Sequence, residues 1–143
     1  MLEDRSNQIP ASGSSHAQAI ISVKESHAES FDEAIGPPLA ILSIRETFEG
    51  DIQGESTVRA LQIRHDDGTI RMISLQRVVG SLAGRKGSFV LRGAEAIENG
   101  AIKAHWSVVL GSGTGELAGL RGTGGFEGRF GEGSHGTLDY WFE

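Results

Sequence analysis

Glu46 stands where a side chain able to do chemistry is hardest to explain as decoration. Along residues 39–49 a period of two puts Leu42, Ile44 and Phe48 on one face, with Glu46 the sole polar residue among them. Ser43, Arg45, Thr47 and Glu49 face the other way. A carboxyl group turned into an apolar interior loses hydration, so its pKa rises toward the range a general acid or base needs. The same parity argument offers companions. Met72, Ser74 and Gln76 share a face of segment 69–79, Trp106 and Val108 belong to an apolar run with Ile102, Ala104 and Leu110, and Tyr140 lies with Leu138 and Phe142. Glu46, Gln76 and Tyr140 form the candidate catalytic set, and Phe48, Met72, Ser74, Trp106 and Val108 the candidate ligand-binding wall. The commoner structural alternative pairs Glu46 with an inward arginine, Gln76 and Tyr140 completing a buried polar network.

Other motifs carry less. Gly111-Ser112-Gly113-Thr114-Gly115 has the glycines of a phosphate cradle, but Glu116-Leu117 stands where a P-loop needs Lys-Ser or Lys-Thr, and no strand-to-helix unit surrounds it. It is read as a turn. The five histidines, at 16, 27, 65, 105 and 135, form no H-x-H or i, i+4 pair, so no metal is expected. Without cysteine there is no thiolate nucleophile or disulfide, and no G-x-S-x-G elbow marks a hydrolase serine. No cofactor is expected.

The elements that hold these residues are strands. Eight segments with period-two alternation fit: 17–26, 39–49, 55–65, 69–79, 86–94, 100–110, 122–130 and 136–142. Asp66-Asp67-Gly68 and Glu98-Asn99-Gly100 are hairpin signals, so the strands they join should be antiparallel. Gly36-Pro37-Pro38 forces a loop over Ser30–Pro38, in which Phe31–Ala34 could make a helical turn. On segments 55–65 and 69–79 neither face is cleanly apolar, which leaves open which side points inward. The pattern G-x-[IL]-x-G occurs at 50–54, 80–84 and 115–119. A lone aliphatic between glycines suits a sharp corner with one side chain plugging the core, and the third copy suits a short helical turn near 116–120. No long helical stripe appears. The expected fold is all-β, an eight-stranded antiparallel up-and-down barrel, favoured over a sandwich because closure removes exposed edges.

Length and charge bound the rest. A chain of 143 residues with 21 glycines suits one turn-rich domain, 17–143, preceded by a polar tail, 1–16, that has no apolar period. The formal charge is −6, distributed as −4 over residues 1–38, +2 over 39–92 and −4 over 93–143. With no basic stripe, nucleic acid is not an expected partner. The start has no secretory h-region and no apolar run reaches membrane-spanning length, so neither a membrane nor export is expected and the chain is read as cytoplasmic.

The stretch Leu75-Gln76-Arg77-Val78-Val79-Gly80-Ser81-Leu82-Ala83-Gly84-Arg85-Lys86-Gly87-Ser88-Phe89-Val90-Leu91, with Val108–Gly122, resembles a bacterial domain-of-unknown-function family, number 3224, from about residue 17 to 143. The resemblance implies a barrel similar to allene oxide cyclase, whose relatives act on hydrophobic molecules. The chain departs from that family's pattern where Gln76 replaces Glu, where Arg92-Gly93 replace Gln-His, and where Leu110 replaces Pro. Any family activity that uses the missing Glu and His would be lost or changed here.

These readings converge on a small barrel that encloses an apolar small-molecule ligand, as a cyclase or isomerase that holds a flexible substrate in a reactive fold. A non-catalytic hydrophobic-ligand carrier, or a structural subunit of a homo-oligomer with a barrel filled by its own side chains, are the alternatives.

Overall fold

The computed structural model describes residues 13–129 and 132–143. The strands are β1 (Ser15–Asp32), β2 (Leu39–Gly50), β3 (Ile52–Arg64), β4 (Ile70–Leu82), β5 (Arg85–Glu98), β6 (Ala101–Val108), β7 (Leu120–Arg129) and β8 (Ser134–Phe142). Each pairs antiparallel with the next, and β8 returns to pair with β1, so the sheet closes into the expected eight-stranded barrel. One 3-10 turn, Gly115–Leu117, precedes β7.

Local chemistry explains the reversals. Thr69 N–H donates to the Asp67 carboxylate at 2.9 Å while Gly68 N–H reaches His65 O, which fixes the turn between β3 and β4. Between β5 and β6, Asn99 and Gly100 both have positive φ, 51° and 77°, as a two-residue hairpin turn of the N-G kind requires. The three glycine-bounded aliphatics Ile52, Leu82 and Leu117 are fully buried plugs. Gly54 and Gly80 face each other across β3 and β4 so closely that a Cβ on either would strike the opposing backbone.

Burial settles the ambiguous strands. In β3, Ser56, Val58, Ala60 and Gln62 are buried between exposed neighbours, and in β4 so are Met72, Gln76 and Val78, with Ser74 half-buried on the same side. Ile73 and Leu75 therefore point outward. The inward residues fall into two apolar clusters. The larger, including Phe48, Val78, Leu82, Phe89, Leu91, Trp106, Val108, Leu117 and Leu138, fills the end of the barrel that the glycine corners close. The smaller, Ala60, Met72 and Ile97 with Leu42, Ile70 and Ile102 against them, lies toward the other end.

Several expected boundaries need correction. β1 continues to Asp32, because pairing with β2 through Ser30↔Ala40 and Asp32↔Leu39 outweighs local preference, and Phe31–Ala34 form no helical turn. Ser15 and His16, expected in the 1–16 tail, belong to β1, paired with Tyr140 and Asp139, while residues 1–12 of that tail lie outside the described residues. β5 runs on to Glu98. β6 ends at Val108, so Leu110 is not part of its apolar face but sits exposed in the following turn. Among the described residues no helix is long and apolar enough to cross a membrane.

Candidate functional site

A polar layer separates the two apolar clusters. Glu46 of β2 is half-buried and points inward, two positions from fully buried Phe48. Its Oε1 accepts a 2.6 Å hydrogen bond from Gln76 Nε2 on β4 and a 3.4 Å bond from Ser56 Oγ on β3. Gln76 Nε2 also donates to Ser56 Oγ at 2.8 Å, closing a triangle across three adjacent strands. No arginine is among the described partners of Glu46: Arg45, Arg59, Arg71, Arg77 and Arg92 occupy exposed, outward positions on β2–β5. Arg64, which shares the inward parity of β3, lies at the strand's end with its guanidinium on Gln62 Oε1. Burial raises the Glu46 pKa, and the Gln76 and Ser56 bonds only partly oppose it.

The residue the sequence reading missed is Glu95. It lies on β5 with the parity of Phe89, Leu91 and Ile97, and Ser74 Oγ donates to its Oε2 at 2.8 Å. Its Oε1 is buried with no hydrogen-bond partner. Burial, opposed by the Ser74 bond and reinforced by the charge of Glu46, pushes its pKa up to about 7. Two carboxyl groups thus share the lumen and repel each other's ionisation. The available signal was the parity of β5 carried past Gly93. A segment ended at residue 94 stops one residue short.

Gly93 makes room for this arrangement. A Cβ there would collide with the Glu95 carboxylate and lie 2.7 Å from Ser74 Oγ. Gly93 and Gln76, two of the positions where the chain departs from the pattern it resembles, thus both adjoin the carboxyl pair.

The aromatic wall adjoins the layer. Trp106, opposite Gly93 in register, has ring neighbours Phe48 at 6.2 Å and Phe126 at 5.3 Å, and its indole N–H donates to Thr137 O at 3.0 Å. Met72 accepts a 3.1 Å contact from Gln62 Nε2 on the far side of the layer. Val108 is fully buried within the larger cluster, behind the wall. Leu42, Ile44, Ser74, Glu95 and Phe126 face inward yet keep partial exposure, so this half of the lumen reaches solvent while the other half is filled.

Tyr140 is not brought to this group. Ser15 of β1 pairs with Tyr140, whereas Val23, eight positions along the same strand, pairs with Glu46. Tyr140 packs edge-on against Phe142 beside the closed end, 6.2 Å between ring centroids. Trp141, on the opposite parity, is buried as well. Among the described residues no three His, Asp or Glu side chains gather as a metal site.

Comparison with known proteins gives a family. The family model described as "Protein of unknown function (DUF3224)" matches residues 17–143. Among solved structures the chain is similar to a protein of unknown function from the DUF3224 family of Shewanella oneidensis MR-1, with 25% identity over 91% of this chain and 98% of that one, and a TM-score of 0.73. No curated protein matches.

Proposed function

The chain belongs to the DUF3224 family of proteins of unknown function, and we propose that its half-open lumen binds a mainly apolar small molecule and moves a proton within it. The observation that carries this is the Glu46–Glu95 pair: two inward carboxyl groups in one lumen, with hydrogen-bond donors but no cation among their described partners. Paired carboxyls whose environments separate their pKa values divide naturally into acid and base. Glu95, the more strongly raised, is the acid. Glu46, held by two donors, is the base.

The chemistry that fits is isomerisation, including cyclisation by proton shift. Glu46 takes a proton from one position of the bound molecule and Glu95 gives one to another, so the molecule gains and loses no atoms. The exchanged protons return through solvent at the open end. Phe48, Trp106 and Phe126 would hold the apolar body, Met72 and Ser74 would flank it, and Gln76 would position the Glu46 carboxylate. Tyr140 has no part in this reading.

The test uses N-phenyl-1-naphthylamine as a neutral fluorescent probe and 2-tetralone as an apolar ketone with exchangeable protons. The probe should bind, and Ile44→Phe, which fills the lumen beside Glu46, should displace it. Exchange of the tetralone α-protons in D2O should be accelerated and lost in Glu46→Gln. Probe binding unchanged by Ile44→Phe would remove the lumen as the site. Binding with exchange at the uncatalysed rate would leave a hydrophobic-ligand carrier.

A further inference from the structure

The outer face of the barrel carries a feature the lumen does not explain. Ile41, Leu61 and Ile73 are successive cross-strand neighbours on β2, β3 and β4, and Leu75 follows two positions along β4. All four point away from the core and are 41–62% exposed. They line a groove of about 740 Å³ together with Arg59, Arg92 and His105. Leu75 is paired with Arg59 on one side and Arg92 on the other, while Arg71 and Arg77 bracket Ile73 and Leu75 along their own strand. Isolated exposed aliphatics need no explanation, but a contiguous row flanked mainly by arginines marks an interaction surface.

We propose that this groove docks a segment of a partner protein whose aliphatic side chains are flanked by acidic ones. The occupant follows from shape and charge. Half-exposed side chains on an open sheet face would cover only one side of a small ligand, whereas ligand pockets bury most of their guest. A two-fold contact with a second copy through the same face would set the Arg59, Arg77 and Arg92 guanidinium groups against their own equivalents, which complementarity disfavours. An anionic bilayer would meet the arginines, but a planar headgroup surface leaves a concave groove between them unfilled. An acid-flanked aliphatic segment satisfies both halves of the groove: leucine-like side chains seat in the row, and carboxylates meet the arginines at its rim. Arg71 already reaches Glu98 at 3.7 Å, but both side chains are exposed, so that pair competes weakly with an incoming carboxylate.

The test is fluorescence anisotropy of the whole chain with a short helical peptide carrying leucines on one face and glutamates on both flanks. Binding should saturate, weaken with salt, and fall on the order of tenfold in Arg59→Glu/Arg77→Glu and again in Ile73→Ser/Leu75→Ser. These positions are exposed, so the far-ultraviolet circular dichroism spectrum and melting temperature should survive in both variants and report that they fold whether or not the lumen binds a probe. The lumen reading and this one can therefore fail separately. Equal binding of a peptide with lysines in place of glutamates would overturn the proposal, as would indifference to both variants. So would self-association in sedimentation that Ile73→Ser/Leu75→Ser abolishes, or capture by phosphatidylglycerol vesicles without capture of the peptide.

Discussion

Ser74 donates a 2.8 Å hydrogen bond to one carboxyl oxygen of Glu95, whose other oxygen is buried with no partner. One donor does not offset the lost hydration of a carboxylate, so the acid form is favoured and the pKa rises to about 7. In that form the carboxyl carries a proton that the ionised form lacks, and the buried, unpartnered oxygen bears no charge.

This sets the pH dependence of folding. A carboxyl whose folded pKa lies above its ordinary 4.5 is protonated in the folded chain where the unfolded chain has already released its proton. Stability should therefore be highest below about pH 4.5 as far as Glu95 is concerned, and fall as pH rises toward about 7. Glu95→Gln should flatten that slope and stabilise the barrel at pH 8 by on the order of 2–3 kcal/mol. Denaturant unfolding of both proteins at pH 5 and pH 8 checks this, and an equal gain at both values would count against it.

Glu46→Gln tests a different link. No arginine is stranded by the change, so nothing like the roughly 3–5 kcal/mol of a broken buried ion pair should be lost. Because burial outweighs the Gln76 and Ser56 bonds in raising the Glu46 pKa, removing the charge should leave stability at pH 8 unchanged or slightly higher. Removing the Glu46 charge should lower the Glu95 pKa below its wild-type value, since that charge is one of the causes raising it. Carboxyl-carbon NMR titration of Glu95 reads the shift directly. An unmoved titration would mean that the two groups do not share one field.

Two glycines should respond oppositely to alanine. At Gly93 the added methyl meets only the Glu95 and Ser74 side-chain ends, which can move aside, so the fold should persist while the Ser74–Glu95 bond is lost and the Glu95 pKa climbs further. At Gly54 the methyl meets the Val79 carbonyl and the Gly80 Cα, backbone that the sheet holds in place. Gly54→Ala should cost several-fold more stability, about 3 kcal/mol or above. Melting temperatures of the pair, with the Glu95 titration in Gly93→Ala, decide both.

The barrel was legible because its turns and strands speak locally: Asn99-Gly100, Asp67-Gly68 and the plugs Ile52, Leu82 and Leu117 are each specified by a few neighbouring residues. The inward position of Glu46 followed from parity alone. Ile73 and Leu75 were illegible for the opposite reason. They are as apolar as the inward residues of β4, and only closure of the sheet decides that Ser74 and Gln76 face in. Glu95 was missed because a strand end inferred from composition stopped short of it. Its relation to Glu46 runs from β2 to β5 across β3 and β4 and has no local signature. Tyr140 had the right parity at the wrong height, since parity reports the face and says nothing of the position along the barrel axis.

The tryptophans give the sharpest test of which face is which. Trp106 and Trp141 are almost equally buried, 5% and 6% exposed, so both should emit at the short wavelengths of apolar surroundings. Only Trp106 faces the lumen, in contact with Phe48 and Phe126. In Trp141→Phe the remaining emission should be quenched when N-phenyl-1-naphthylamine binds, whereas in Trp106→Phe the remaining Trp141 emission should change little. Trp106→Ala should cost about 3–5 kcal/mol, because the cavity and the lost bond to Thr137 O add to the lost burial. Trp106→Phe keeps most of the packing and separates loss of the reporter from loss of the fold. Quenching confined to Trp141 would place the probe outside the barrel and remove the lumen from consideration as its binding site.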